Sequence, residues 1–229
     1  MRGGTRRRAL GAAAVAAVAG FALSGCADPQ YRFVTSSEKD VVVRVPWDWS
    51  RIARDDVLRA RPGATAAPSE EESQVPEGTW IAYYDGAAHP EPAHVLADNV
   101  AAPIVLLQSS AIAAESRDSI SVDQLKDLYR PVSEEARAQR AALLQANGLP
   151  EPAFRLITDQ PIRTKDAVGV HVVYSYGSGA QEEVYDQVAE MDAKRTRWHV
   201  VIVHCRASCW TAHRQEIEAV ADSFTVKKP

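Results

Sequence analysis

The chain has 229 residues, of which 46% are hydrophobic, with a formal charge of −4 and three cysteines. That length supports one sizeable core and does not require two domains. An acidic balance excludes the long-range attraction on which nucleic-acid binding and anionic headgroup binding rest.

The first elements form a leader. Arg2, Arg6, Arg7 and Arg8 make a basic head, residues 10–23 are an apolar run rich in alanine and valine, and small residues follow up to Cys26. Head, apolar body and small-residue end describe a secretory signal. The apolar run is shorter than the roughly 18–20 residues a spanning helix needs. Leu23-Ser24-Gly25-Cys26 resembles the lipobox of bacterial lipoproteins. The resemblance implies removal of residues 1–25, a lipid on the sulfur of Cys26, acylation of the new N-terminus, and attachment to the extracytoplasmic face of the cell membrane. A short membrane anchor and an ordinary cleaved signal are the alternatives. Residues 5–10 also resemble a twin-arginine export signal, and the general secretory route stays open beside it. Loss of the four leader arginines takes the formal charge from −4 to about −8. The arginine- and alanine-rich, lysine-poor composition suggests a high-GC source such as an actinobacterium.

After a tether at residues 26–30, one domain is expected over residues 31–226. Residues 31–35 alternate as a strand. Val41-Val42-Val43-Arg44-Val45 is a second, stopped by Pro46, which lacks a donor and biases its predecessor towards extended backbone. Residues 51–59 read as a short helix. Residues 61–78 carry three prolines, two glycines and Glu70-Glu71-Glu72, a flexible acidic loop with too little apolar surface to offset ordering. Residues 79–85 and 103–112 are strands by aromatic, β-branched and continuous apolar content, with a loop at 86–93 between them. Ser121-Val122-Asp123-Gln124 matches a capping box, and Ser133-Glu134-Glu135 starts a further helix that Asn147-Gly148 ends.

Strands follow at 153–161, 167–176 and 197–205, the last apolar on both faces and hence central. Residues 181–192 fit a helix or a strand, with the strand preferred. Trp210, His213, Ile217, Val220 and Phe224 recur at helical spacing and predict a helix over 209–224, with 225–229 as a tail. The sum is an α+β architecture: one largely antiparallel sheet covered by helices on both faces. The order of these elements resembles the PsbP/Mog1-like fold, an α/β/α sandwich found in small secreted lipoproteins of actinobacteria. The residues that carry it are Tyr31-Arg32-Phe33, Val43-Arg44-Val45-Pro46-Trp47-Asp48-Trp49, residues 201–209, and Val220-Ala221-Asp222-Ser223-Phe224. Relatives with this fold act as assembly factors or binding adaptors, and the resemblance transfers no catalytic residue.

Candidate chemistry is sparse. Cys205 ends a strand and Cys209 opens a helix, so an even pair in an oxidising compartment reads first as a disulfide. Closing so short a loop contributes about 2 kcal/mol. Zinc at His204-Cys205-x3-Cys209-x3-His213 is an alternative by spacing, although strand alternation points His204 and Cys205 to opposite faces. A reactive Cys209 beside His213 is another, excluded if the sulfur is bonded. His213 reads as a core histidine, and His171 and His199 as packing or surface residues. His89 and His94 flank Pro90-Glu91-Pro92, a spacing open to metal but on a proline-rich loop. Gly177-Ser178-Gly179 lacks the further glycine or lysine of a phosphate-binding loop and reads as a hairpin turn. Trp47 and Trp80 are expected in the core, and Trp49 is the candidate for an exposed ligand contact.

These features predict a non-enzymatic, membrane-anchored envelope lipoprotein acting as a binding or assembly module. No catalytic residue, metal or cofactor is implied. The partners are the membrane through the anchor and an unknown envelope protein or small ligand, with no nucleic acid. The alternatives are a small-ligand or metal-binding lipoprotein and a cysteine- or histidine-dependent enzyme.

Overall fold

A computed structural model describes residues 30–38, 40–61 and 77–227. The expected leader, the expected lipid attachment at Cys26 and most of the acidic segment at 61–78 lie outside the described residues. Ten strands form two sheets. The larger has seven: β3 (Ser50–Ile52), β4 (Trp80–Asp85), β5 (Ile104–Ala111), β9 (Arg197–Arg206), β8 (Glu183–Asp192), β7 (Ala167–Tyr176) and β6 (Phe154–Arg163), in that spatial order. Every pairing in it is antiparallel. The smaller sheet pairs β1 (Tyr31–Thr35) and β10 (Thr225–Val226) with opposite edges of β2 (Val41–Pro46).

Apolar side chains lie on both faces of the large sheet. On one face Val105, Leu107, Val201 and Val203 meet Val43 and Val45 of β2 and Ile217 and Val220 of a C-terminal helix. On the other, Val172, Tyr174, Tyr185, Val200 and Ile202 are covered by Ile112, Leu125 and Val132. β9 is buried from His199 to Cys205, the central strand its apolar run predicts. Each such side chain contributes roughly 1.5–3 kcal/mol by leaving water, so these two layers hold the fold.

Helices flank both faces. α1 (Arg54–Arg59), α2 (Pro92–Leu96), α5 (Ala207–Ala212) and α6 (Arg214–Asp222) belong to the first core. α3 (Val122–Lys126) places Leu125 in the second. Its start is the expected capping box: Ser121 Oγ accepts from Gln124 N–H, and the Gln124 side chain accepts from Ser121 N–H. α4 (Glu134–Ala146) is capped by Ser133. Gly148 follows it at φ 68°, a left-handed conformation that glycine adopts without a Cβ clash.

Several expectations are corrected. The large antiparallel sheet is as expected, but β1 and β2 pair apart from it as a second sheet, and residues 225–226, expected as a tail, add a strand to β2. Residues 183–192 are a strand, the reading the sequence preferred, and only its start moves, because a 3-10 turn occupies Gly179–Gln181. Residues within the 86–93 loop begin α2, with Pro92 at its first turn, where the missing N–H costs nothing. The helix over 209–224 is two helices that meet at His213 (φ −108°, ψ 16°). Cys209 ties α5 to the end of β9, while Ile217, Val220 and Ala221 must face the core. One straight helix does not meet both demands, so the chain re-aims at His213. Strand β6 is the edge of the sheet; Leu156 and Ile157 are exposed at its bulge. An edge strand tolerates Pro161, which a central strand does not.

The tryptophan assignment is reversed. Trp49 is 2% exposed and Trp47 is 60% exposed. Alternation through Val43 and Val45 points Trp47 inward, but a turn intervenes: Trp49 N–H donates to Pro46 O at 3.2 Å, resetting which side chain faces the core. Gly86 leaves the space for the Trp49 indole, since a Cβ there would lie 3.0 Å from Nε1. Trp80 packs partly buried against the first core, as expected.

Candidate functional site

One end of the large sheet carries a polar and aromatic cluster that no sequence motif announces. Antiparallel register puts Tyr174 opposite Tyr185, and Tyr185 opposite His204. Directly opposed side chains on one face touch. The three rings stack across β7, β8 and β9, with centroids 5.0 Å and 5.4 Å apart and planes within 11° and 15°. Glu183, two residues before Tyr185, shares its face. Its carboxylate accepts from His204 Nδ1 at 2.7 Å and from the Tyr185 hydroxyl at 2.6 Å. Tyr129, just beyond α3, lies over both rings and brings its hydroxyl 3.4 Å from His204 Nε2.

The cluster is closed on itself. Glu183 and His204 are 3% and 2% exposed. Burial pushes the Glu183 carboxyl up, but the hydrogen bond and charge of His204 and the Tyr185 hydroxyl together hold it below the ordinary range. Burial pushes the Tyr129 phenol up to about 12 and raises Tyr185 as well. Both phenols therefore stay protonated near neutrality. They serve as hydrogen-bond donors, not as bases or nucleophiles.

Above this floor lies an open cavity of about 290 Å³, walled by Asn99, Arg130, Arg140, Tyr176, Glu183 and Tyr185. Arg130 pairs with Asp98 at the rim and holds its guanidinium 5.8 Å from the Tyr185 ring centre. Arg140 comes from the inner side of α4. Its Nε and the Asn99 Oδ1 are buried with no hydrogen-bond partner among the described residues. Buried polar atoms without partners are uncommon in folded proteins and cost free energy where they occur. The cavity mouth is shaped by Gly177 at φ 86°, where any Cβ would lie 2.3 Å from Gln181 O.

The residues that the sequence singled out lie elsewhere. Cys205 and Cys209 are joined by a disulfide with Cα atoms 6.0 Å apart, in the first core and across the sheet from the His204 ring. Bonded sulfurs supply neither a nucleophile nor thiolate ligands. The His213 side chain is 43% exposed and pairs with Glu216, which corrects its reading as a core histidine. His94 Nδ1 sits 2.8 Å from the fully buried carboxylate of Asp85, and His89 is exposed. Among the described residues no three acidic, histidine or cysteine side chains gather as a metal site. Trp49, buried against Gly86, is not an exposed contact.

Two further histidines are built into the sheet with opposite responses to pH. His199 is 1% exposed, with Nδ1 2.9 Å from Ser109 Oγ. Burial pushes its pKa below 6.5, against the pull of Asp40 and with the push of Arg197. His171 lies 2.7 Å from the Asp186 carboxylate, a hydrogen bond that raises its pKa above 6.5 despite burial. The unfolded chain takes up a proton at His199 below pH 6.5 that the folded chain resists, so stability falls as pH drops below that value. The His171 contribution has the other sign: it is complete below pH 6.5 and lost as pH rises through the raised pKa. The urea midpoint is therefore expected to fall between pH 6.5 and mildly acidic pH in the wild type, and to fall less in His199→Gln. Equal slopes in the two proteins would contradict the assignment.

No family model and no curated protein matches the chain. Among solved structures it is similar to cyanobacterial PsbP (CyanoP) from Synechocystis, with 13% identity, 90% of this chain and 99% of that chain covered, and a TM-score of 0.47. It is also similar to the Ran-binding protein Mog1p of Saccharomyces cerevisiae, with 12% identity, 86% and 95% coverage, and a TM-score of 0.41. A Pseudomonas aeruginosa protein described as a putative regulator of unknown function is a third, at 12% identity, 88% and 99% coverage, and a TM-score of 0.36.

Proposed function

We propose that the protein is a non-enzymatic binding module, exported and held at the extracytoplasmic face of the cell membrane by lipid on Cys26, and that it binds a small anionic ligand in the cavity above Glu183. Two cationic side chains, Arg130 and Arg140, in the wall of one cavity over an aromatic floor carry this reading. A guanidinium fork matches a carboxylate or phosphate oxygen pair. The partly exposed Tyr176 ring offers a flat apolar body a surface to pack on. A volume near the lower end of ligand pockets limits the guest to a compact molecule. The buried carboxylate accepts from His204 and Tyr185, which fixes its place in the floor, and the two arginines outweigh its single charge.

Phenyl phosphate is the probe. In an NMR titration it is expected to shift the amides of Asn99, Gly177 and Glu183, while uncharged benzyl alcohol leaves them in place and inorganic phosphate binds more weakly. Arg140→Met, on a helix with no buried residue, should fold normally and weaken binding about tenfold or more, the size of one lost charge-assisted hydrogen bond. Shifts that ignore the probe at millimolar concentration, or that persist unchanged in Arg140→Met, would remove the cavity from the proposal.

A further inference from the structure

The β1–β2 edge carries exposed aromatics that neither core uses. Phe33 is 73% exposed and Trp47 is 60% exposed. Tyr31, on the same face of β1 as Phe33, lines one open cleft with Trp47. Trp47 is held firmly for an exposed side chain. Its N–H donates to Gln30 O at 3.0 Å, its carbonyl accepts from Arg32 at 2.9 Å, and the Arg32 guanidinium lies 5.4 Å from its ring centre. The Arg44 guanidinium lies over Tyr31 at 5.0 Å in the same way. An outward-pointing indole under a guanidinium, with a second bare ring on the adjoining strand, is a surface built to be covered.

The chain itself indicates what covers it. Gln30 is the first described residue, it is hydrogen-bonded to Trp47, and Cys26 lies four residues upstream. Four residues span at most roughly 14 Å when fully extended. A lipid on Cys26 therefore confines Trp47 to a shell about as deep as the headgroup region and its margin. Tryptophan favours that region, where an apolar ring and a polar N–H are both satisfied. Resting on the lipid-anchor reading above, we infer that the Phe33–Trp47 edge docks on the headgroup layer of the bilayer that holds the anchor. Asp48 and Glu216 share the cleft with Trp47, so the edge is not a basic patch. Docking is accordingly aromatic in character and indifferent to anionic lipid and to salt.

The test uses the native lipidated chain in phosphatidylcholine vesicles whose acyl chains carry bromine, a short-range quencher of indole fluorescence. Of the five tryptophans, Trp47 is the one exposed, so quenching reports on it. Wild type is expected to be quenched, Trp47→Phe to lose most of that quenching, and Phe33→Trp placed in the Trp47→Phe background to regain it. Adding anionic lipid or salt should change none of these. Intact mass of the same sample separates the two claims. With lipid present on Cys26, an unquenched Trp47 that aqueous iodide still reaches overturns the docking and leaves the anchor standing. With no lipid on Cys26, the anchor fails and the docking fails with it.

Discussion

Replacing Glu183 with alanine is expected to lower the stability of the fold by about 3–5 kcal/mol, the cost of leaving one member of a buried pair without its partner. The substitution strands three donors at once. His204 Nδ1 loses its acceptor, the Tyr185 hydroxyl loses its acceptor, and the backbone N–H of Asn99, which also supports the carboxylate, loses one more. The site is 3% exposed, so the three donors are left in largely desolvated surroundings. Glu183→Gln should cost less, because one amide oxygen still accepts. The pH profile adds a second signature. The carboxyl is held below its ordinary value of 4.5, so its contribution is present above that pH and is lost as pH falls through the depressed folded value. Urea unfolding followed by circular dichroism checks both statements. A Glu183→Ala protein within 1 kcal/mol of wild type would mean the cluster is not closed as described.

An equally large loss is expected from Gly169→Ala, at a position with no polar role. Gly169 lies in β7 opposite Glu190 of β8. A Cβ there would sit 2.1 Å from Ala189 O and 2.7 Å from Glu190 Cα. Both are backbone atoms of the adjacent strand, so no side chain can swing aside. The two strands must separate at the third pair of the ladder that, five residues on, aligns Tyr174 with Tyr185. Overpacking of a core typically costs 1–3 kcal/mol and more where backbone must move, so about 3 kcal/mol is expected. For a domain of this size that is a fall of roughly 6–12 °C in Tm. Calorimetry reads it directly, and a Tm within a degree of wild type would show that the strands approach less closely than described.

Much of the fold is legible in the residues because its strands announce themselves in local ways. The β-branched runs at residues 41–45 and 200–203 need no partner information to be recognised, and Ser121 and Ser133 mark helix starts through their own hydroxyls. What is not legible depends on distant pairing. Thr225 and Val226 become a strand only because β2 presents a free edge to them. The exchange of Trp47 and Trp49 depends on a turn that resets the alternation by one step, and no composition signal marks it.

The candidate site was hidden for the same reason. Asn99, Tyr129, Arg140, Glu183 and His204 are scattered over more than a hundred positions: strand register aligns Glu183 and His204 with Tyr185, and loop and helix packing bring the other three to them. The alternation of Glu183 with Tyr185 was the one available sign: an acid on the same face as an aromatic, in a strand buried everywhere but at Glu190. Cys205 and Cys209, by contrast, could be paired by proximity in sequence, and the structure joins them. Their bond fixes the corner between β9 and α5 on the face away from the cavity, a structural duty separate from ligand binding.

Placement of the chain at the membrane is tested most directly by intact-mass spectrometry of protein extracted from its native membrane. The predicted species begins at Cys26, carries the added mass of acyl chains on that residue, and shows the deficit of one disulfide. A water-soluble product with Met1 in place, no acyl mass and three free thiols would contradict it.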